Sequence, residues 1–136
     1  MRTLCEKLGL KPGMRIWIDE APPGYDGLMA PWPERVVHDP GGRRLDFIHL
    51  FGRWEAELFP RILQAKDLIH ADGMIWVSWP KKSARQPADL TEDLIRDFAL
   101  AHGLVDVKVC AVSDVWSGLK LVYRLTDRDA VRARQS

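Results

Sequence analysis

The chain of 136 residues has few features that mark a specialised class of protein. Its net charge is only +1, which gives no general reason to expect nucleic acid or an anionic membrane as a partner. The two cysteines, Cys5 and Cys110, are too few for a disulfide framework in a chain of this length. No apolar stretch approaches the roughly 18 residues of a membrane-spanning helix, and the segment MRTLCEKLGLKPG lacks the long apolar stretch expected of a secretory signal. We therefore expect a cytoplasmic protein with reduced cysteines.

Catalytic and metal-binding motifs are also missing from the sequence. The four histidines and two cysteines lack zinc-ligand spacing, and neither a P-loop nor a G-x-S-x-G elbow occurs. His49 lies within the apolar run FIHLF, where a core histidine is the ordinary interpretation and a catalytic one the alternative. The basic pairs at 43–44 and 81–82 have no aromatic ladder beside them, so a nucleic-acid surface is not predicted. The sequence thus predicts no catalytic residue and no metal ligand.

The chain does contain a regular alternation of strand-like and helical segments. Short apolar runs bounded by glycine or proline predict strands, and apolar residues three or four apart predict helices. Strands are predicted at 14–18, 45–51, 73–79, 105–112 and 118–125, with a minimal strand at 35–38, and helices at 2–9, 23–30, 60–69 and 89–102.

Three of these segments carry boundary signals. Pro60 is expected to lie in the first turn of its helix, after a separate short helical turn, because proline suits that position. Asp89 and Glu92 have the spacing of a capping box, which predicts that Asp89 caps the next helix. The tail at 126–136 is charged and lacks an apolar face, so we expect it to fray.

The order of the segments predicts the architecture. Alternating helices and buried strands require parallel pairing, right-handed crossovers and helices on both faces of the sheet. The short polar link SDVWS between the last two strands instead suits an antiparallel pair. We therefore predict one α/β domain over residues 1–125, with a three-layer, Rossmann-like, mostly parallel sheet and a C-terminal antiparallel strand.

Several segments resemble the class I S-adenosylmethionine-dependent methyltransferases. The first strand and glycine loop of that family are similar to KPGMRIWIDEAPPGY, its fourth strand to LDFIHLF and its fifth to HADGMIWVSWPK. Its last helix and last two strands resemble the segments from ADLTEDLIR to WSGLKLVYRL, while its second and third strands are almost absent here. A family of small bacterial proteins of unknown function is also similar, in GMIWVSWPKK, GLVDVKVCAV and WSGLKLV. Both resemblances imply a methyltransferase-like fold truncated in its second and third strands.

The resemblance implies a cofactor loop after the first strand. In the family this strand ends in an acid and is followed by three alternating glycines, which let backbone N–H groups approach the cofactor. Here Ile18 takes the place of the acid, although a shifted register would make Asp19 that acid. Glu20 and Pro22 replace two glycines, and Gly24 matches the third. The candidate cofactor-binding residues are Asp19, Glu20, Gly24 and Asp39. Asp39 is the candidate for the ribose-binding acid, although an aspartate before proline and glycine is more often a turn former.

A second group of candidates follows the other strands. Ligands of open α/β sheets bind outside the carboxyl ends of the parallel strands. Lysines, aromatic rings and hydroxyl groups at those ends could hold an anionic ligand; the alternative is a solvated basic loop beside aromatics that close the core. The candidate ligand-binding residues are Trp79, Lys81, Lys82, Trp116 and Ser117.

Two functions are compatible with these residues. The changes at Glu20 and Pro22 favour a non-catalytic methyltransferase-like domain that binds a small anionic ligand or a protein partner. The alternative is an S-adenosylmethionine-dependent methyltransferase with a divergent cofactor loop. Because the truncation exposes one edge of the first strand, a homodimer is one way to cover that edge.

Overall fold

The computed structural model describes residues 2–38 and 42–135, and within them helices and strands alternate as the sequence predicts. None of the described helices is long and apolar enough to cross a bilayer. The strands are β1 (Arg15–Asp19), β2 (Val37–His38), β3 (Leu45–Phe51), β4 (Ile69–Pro80), β5 (Leu104–Ala111) and β6 (Trp116–Tyr123). The helices are α1 (Leu4–Leu8), α2 (Tyr25–Met29), α3 (Glu55–Leu68), α4 (Glu92–Ala101) and α5 (Arg128–Gln135), with short 3₁₀ turns at Lys82–Ala84 and Leu125–Asp127.

Within the described residues, six strands form one sheet in the order β2-β1-β3-β4-β6-β5. β1 pairs in parallel with β2 and β3, and β3 pairs in parallel with β4. β6 runs antiparallel to both β4 and β5. The mostly parallel α/β sheet with an antiparallel C-terminal strand is therefore confirmed, and its edge strand β2 is only two residues long.

The prediction that a helix starts near Pro60 is wrong, because α3 begins at Glu55 and runs through the proline. Leu58 and Ile62 are both buried, so the apolar face of the helix extends to either side of Pro60. The carboxylate of Asp89 stabilises the helix start by accepting a hydrogen bond of 2.8 Å from the backbone N–H of Glu55. Burial of this face outweighs the one hydrogen bond that Pro60 cannot donate.

The start of α4 also differs from the prediction. Its cap is Thr91 rather than Asp89, and the Thr91 hydroxyl accepts a hydrogen bond of 3.2 Å from the N–H of Leu94. The helix begins only at Glu92, so Thr91 is the residue directly before the first turn. Asp89 instead serves the neighbouring helix α3.

The C-terminal tail forms α5, so the prediction that it frays is wrong. Val131 of this helix is buried. The Gln135 side chain donates to the carbonyl of Ile69 at 2.8 Å and accepts from the N–H of Ala71 at 3.3 Å. One buried apolar side chain and two hydrogen bonds to β4 therefore order a segment whose composition predicts no apolar face.

The sheet separates two apolar layers. α3, α4 and α5 cover one face, and α1 and α2 cover the other. In the second layer the side chain of Trp76 is fully buried, and its indole N–H donates to the carbonyl of Leu8 at 2.8 Å. This hydrogen bond fixes α1 against β4.

A chain of hydrogen bonds crosses the same layer at His49, which is fully buried in β3. The His49 Nδ1 lies 2.8 Å from the Tyr25 hydroxyl, and the Nε2 lies 2.7 Å from the Ser78 hydroxyl. Burial lowers the pKa of His49 from 6.5 to about 3, so the ring is neutral, with one nitrogen donating and the other accepting. Burial also raises the pKa of Tyr25. These are the surroundings of a core histidine.

Replacing Trp76 by alanine is expected to lower the free energy of unfolding by about 3–5 kcal/mol. The substitution removes a fully buried indole and leaves the carbonyl of Leu8 without its donor. Urea unfolding measures the change, with Trp54→Ala as the control, because the Trp54 side chain is 38% exposed. A Trp76→Ala variant as stable as the parent would contradict the packing described for β4.

The stability of the chain is expected to fall as the pH drops from about 6.5 towards 3, because unfolded His49 takes up a proton that the folded protein excludes. This group contributes a slope of up to about 1.4 kcal/mol per pH unit in that range. Unfolding free energies measured across the range for His49→Gln should lack this part of the slope. The matched control is His70→Gln, because His70 is only half-buried, and this variant should keep the pH dependence that His49 contributes. Identical pH slopes in the parent and His49→Gln would refute the assignment.

Candidate functional site

A cleft of about 530 Å³ opens at the carboxyl ends of β1 and β3, beside the turn that joins β5 and β6. One wall is the loop after β1, at 20–23, and another is the segment from the end of β3 into α3, at 51–54. The β5–β6 turn contributes 115–116, and Gln86 comes from the loop before α4. This is the edge of an open α/β sheet at which ligands bind.

The aromatic rings of Phe51 and Trp116 line the cleft and pack on the buried layer beneath it. Phe51 stacks on His49 with ring centroids 4.2 Å apart, and it meets Trp116 edge-on at 5.2 Å. Tyr25 also contacts Phe51 edge-on, at 5.4 Å. The indole of Trp116 is therefore held in place by the same layer that contains the buried histidine.

The turn that carries Trp116 is fixed by hydrogen bonds. The Ser113 hydroxyl accepts from the N–H groups of Val115 and Trp116, each at 3.1 Å. The backbone N–H of Lys81 donates to the carbonyl of Val115 at 2.8 Å, which ties the turn to the end of β4. The hydrogen bonds of Ser113 and Lys81 thus fix the turn that forms this wall of the cleft.

The loop after β1 has two residues with left-handed backbone, and only one of them, Gly24, is a glycine. Glu20 has a φ of 59°, in the left-handed region that glycine adopts readily and other residues rarely. Gly24 has a φ of 85°, and a Cβ placed there would meet no atom within 4 Å. Pro22 and Pro23 lie between them and have no N–H to offer a ligand. The loop therefore presents a carboxylate and two proline rings to the cleft.

Asp19, at the end of β1, is engaged by Arg61 of α3. The Arg61 Nε donates to the Asp19 carboxylate at 2.6 Å, and another guanidinium nitrogen donates to the carbonyl of Phe51 at 2.8 Å. This arginine joins the ends of β1 and β3. The carboxylate of Asp19 is consequently used for structure at the edge of the cleft.

A second cavity of about 450 Å³ continues the cleft towards α2. The two cavities share residues 22–23 and 115–116, and the second adds Leu28 and Asp114. We call the two together the strand-end groove. Leu28 is 39% exposed and Trp54, at the other end, is 38% exposed, so both ends of the groove present apolar surface to solvent.

The charged side chains of the strand-end groove are mainly acidic. Glu20, Glu57 and Asp114 contribute carboxylates, and all three are exposed. Arg53 contributes a positive charge. The charges within the groove therefore favour a ligand that is not itself an anion.

The structure brings together three of the residues predicted from the sequence. Glu20, Gly24 and Trp116 all line the strand-end groove. Asp19 lies beside it, paired with Arg61. Asp39, the predicted ribose-binding acid, lies outside the described residues.

The other predicted ligand-binding residues are not among the described residues that line the groove. Trp79 is only 7% exposed and packs in the layer covered by α3 and α4. Lys81 and Lys82 follow β4 and are absent from the linings of the two cavities as the described residues define them. Ser117 pairs with Trp79 across β4 and β6, next to Trp116.

Sequence reasoning missed Trp54 and Glu57, which line the groove from the start of α3. The cause was the expected helix start at Pro60. Leu58, four residues before Ile62, signals that the helical apolar face already exists on the N-terminal side of the proline. Following that face back would have placed Trp54 at the helix start.

The fold is similar to those of solved methyltransferases. A SAM dependent methyltransferase from Aquifex aeolicus is 12% identical with a TM-score of 0.59, covering 87% of this chain and 86% of that one. The ribosomal protein L11 methylase from Lactobacillus delbrueckii subsp. bulgaricus is 11% identical with a TM-score of 0.56, covering 89% and 75%. Magnesium protoporphyrin IX methyltransferase from Synechocystis PCC 6803 with bound SAM is 12% identical with a TM-score of 0.56, covering 89% and 74%. These likenesses confirm the methyltransferase-like fold.

Comparison of sequences gives the family. No curated protein matches the chain. The family model described as "Protein of unknown function (DUF3052)" matches residues 37–125, from β2 to the 3₁₀ turn after β6. Since this span is well over half of the 136 residues, the chain belongs to the DUF3052 family.

Proposed function

We propose that this chain is a non-catalytic protein of methyltransferase-like fold, and that its strand-end groove binds an extended, apolar and basic segment of a protein partner. The observation that carries the proposal is the continuity of the groove. Its two cavities, of about 530 and 450 Å³, meet at residues 22–23 and 115–116 and form one elongated surface.

The shape of the groove favours a peptide segment over a small molecule. Small-molecule sites are concave and bury most of the ligand surface. Here Glu20, Pro23, Arg53 and Trp54 are all exposed, so the lining lies largely at the surface. Grooves lined by aromatic and apolar side chains are a common means of binding an extended peptide segment.

The charges of the groove favour a basic segment. Three exposed carboxylates, those of Glu20, Glu57 and Asp114, accompany the single guanidinium of Arg53. Complementary charges across an interface give specificity and speed association. A segment with lysine or arginine beside apolar residues matches both the charge and the apolar ends of the groove.

The loop after β1 does not fit S-adenosylmethionine. The carboxylate of Glu20, in place of a glycine, opposes binding of a cofactor that carries a carboxylate of its own, because like charges repel. Pro22 and Pro23 remove backbone donors, and the acid that a shifted register offers, Asp19, is bonded to Arg61. These features support a non-catalytic role. A methyltransferase with a divergent loop remains the second candidate because Glu20 and Gly24 both have left-handed backbone, which glycine adopts most readily.

Binding of model peptides tests the proposal. One set of short peptides carries leucine, valine and proline in the centre with lysine on both sides, and a matched set has glutamate in place of lysine. Nitrogen-labelled protein is titrated, and Trp54→Phe and Trp116→Phe variants assign the indole signals. We expect the lysine set to shift the signals of Trp54 and Trp116 and to bind at least about tenfold tighter than the glutamate set.

Two double variants test which charges the peptide contacts: one removes carboxylates of the groove, and the other is the matched control outside it. Glu20→Gln with Glu57→Gln should weaken binding of the lysine set about tenfold and reduce its dependence on salt. Lys81→Ala with Lys82→Ala should leave that binding unchanged. The proposal would be overturned in favour of an anionic ligand if the parent bound the glutamate set more tightly and the double variant Lys81→Ala with Lys82→Ala lost that preference.

S-adenosylmethionine is expected to bind weakly or not at all, because Glu20 and Pro22 replace two of the expected glycines. Calorimetric titration measures the affinity directly. Removal of the carboxylate alone, in Glu20→Gly, should not restore tight binding, since Pro22 and Pro23 still lack N–H donors. Micromolar or tighter affinity for the parent chain would support the methyltransferase alternative instead.

A further inference from the structure

A separate cavity, which is not part of the strand-end groove, lies at the opposite end of the sheet. It occupies about 270 Å³ where β3 begins and β6 ends. Arg43, Arg44 and Arg134 line it, together with Asp67 and Tyr123. We call it the arginine pocket.

The fold itself brings the three arginines together. Arg43 and Arg44 directly precede β3, whose first residue, Leu45, is paired with Ile69 at the start of β4. Gln135 bonds to the carbonyl of Ile69, which fixes the last turn of α5 at the same place. Residues far apart in the sequence thus converge on one cavity because β3, β4 and α5 meet there.

The arginines of this pocket differ from three arginines of the chain that are paired with carboxylates. Arg61 is paired with one carboxylate, Arg132 with two and Arg96 with three. Among residues 2–38 and 42–135, no ion pair or hydrogen bond is found for the side chain of Arg43, Arg44 or Arg134. Of the charges lining the cavity, three are guanidinium groups and one is the carboxylate of Asp67, an excess of positive charge.

Two further features support a ligand in this pocket. Arg44 has a φ of 59°, a left-handed backbone that is strained for a residue with a side chain and that is found preferentially at functional positions. The Tyr123 hydroxyl donates to the carbonyl of Lys66 at 2.5 Å, so the back of the pocket is fixed. Like charges held close together repel unless an anion lies between them, and planar guanidinium groups match phosphate oxygens in pairs.

We propose that the arginine pocket binds a phosphoryl group, supplied either by inorganic phosphate or by a phosphate ester. Arg43 and Arg44 contact it from the start of β3, and Arg134 contacts it from α5. Bound there, the anion joins α5 to the start of β3 and stabilises the C-terminal helix. This site is separate from the strand-end groove and does not depend on the function proposed for that groove.

The test titrates the full chain with inorganic phosphate at constant ionic strength, with chloride as the replaced anion. The melting temperature should rise with phosphate concentration, and the Nε–H signals of the three arginines should shift. Glycerol phosphate forms the second arm. Tighter binding of glycerol phosphate than of phosphate identifies an ester as the source, and the reverse order identifies the free anion.

Matched variants locate the site. Arg44→Gln and Arg134→Gln should each weaken phosphate binding by at least about tenfold, and Arg134→Lys, which keeps the charge, should weaken it less. Arg35→Gln is the control, because Arg35 is also exposed and has a φ of 60° but lies outside the pocket. Glu20→Gln at the opposite edge should also bind phosphate normally. Equal stabilisation by chloride, or equal binding by Arg44→Gln, Arg134→Gln and Arg35→Gln, would overturn the proposal.

Discussion

The two hydrogen bonds of His49 are the constraint on which the strand-end groove depends. They join Tyr25, the first residue of α2, to Ser78 in β4 through a neutral ring in β3. Phe51 stacks on that ring and in turn supports Trp116. The loop after β1 and the β5–β6 turn are therefore positioned from one buried point, although both lie at the surface. A change at His49 reaches both walls of the groove at once, because each wall rests on a partner of the same ring.

Much of the sheet could be predicted from local sequence, whereas the ends of the helices could not. β3 was predicted over its full observed length because its nearly continuous apolar run is bounded by Arg44 and Gly52. The start of α3 depends on Asp89, which lies 34 residues from its partner Glu55. The order of α5 depends on Gln135, which lies 66 residues from Ile69. Such contacts exist only once the chain is folded, so propensity and spacing do not reveal them.

The candidate site was predictable to the extent that a general rule of the fold applies. Glu20 and Trp116 were found because residues at the carboxyl ends of parallel strands meet at one edge of the sheet. Trp79 was placed there too, but alternate residues of a strand face opposite sides, and Trp79 shares the layer of Ile75 and Val77. Lys81 reaches the turn that borders the groove through its backbone N–H, which donates to the carbonyl of Val115. Its side chain is not among the described groups that line the groove, because proximity in sequence to a strand end does not settle which way the chain turns afterwards.

Pro22 and Pro23 have a consequence for how anything can bind beside them. Each ring fixes φ near the value of extended or turn backbone, so this wall of the groove has few conformations available before a partner arrives. Ordering a flexible residue opposes binding by about 1–2 kcal/mol, and a wall that is already ordered avoids most of that loss. The same stiffness removes the ability to remodel. A preorganised wall of this kind selects a partner by shape, because the partner must adapt to the protein.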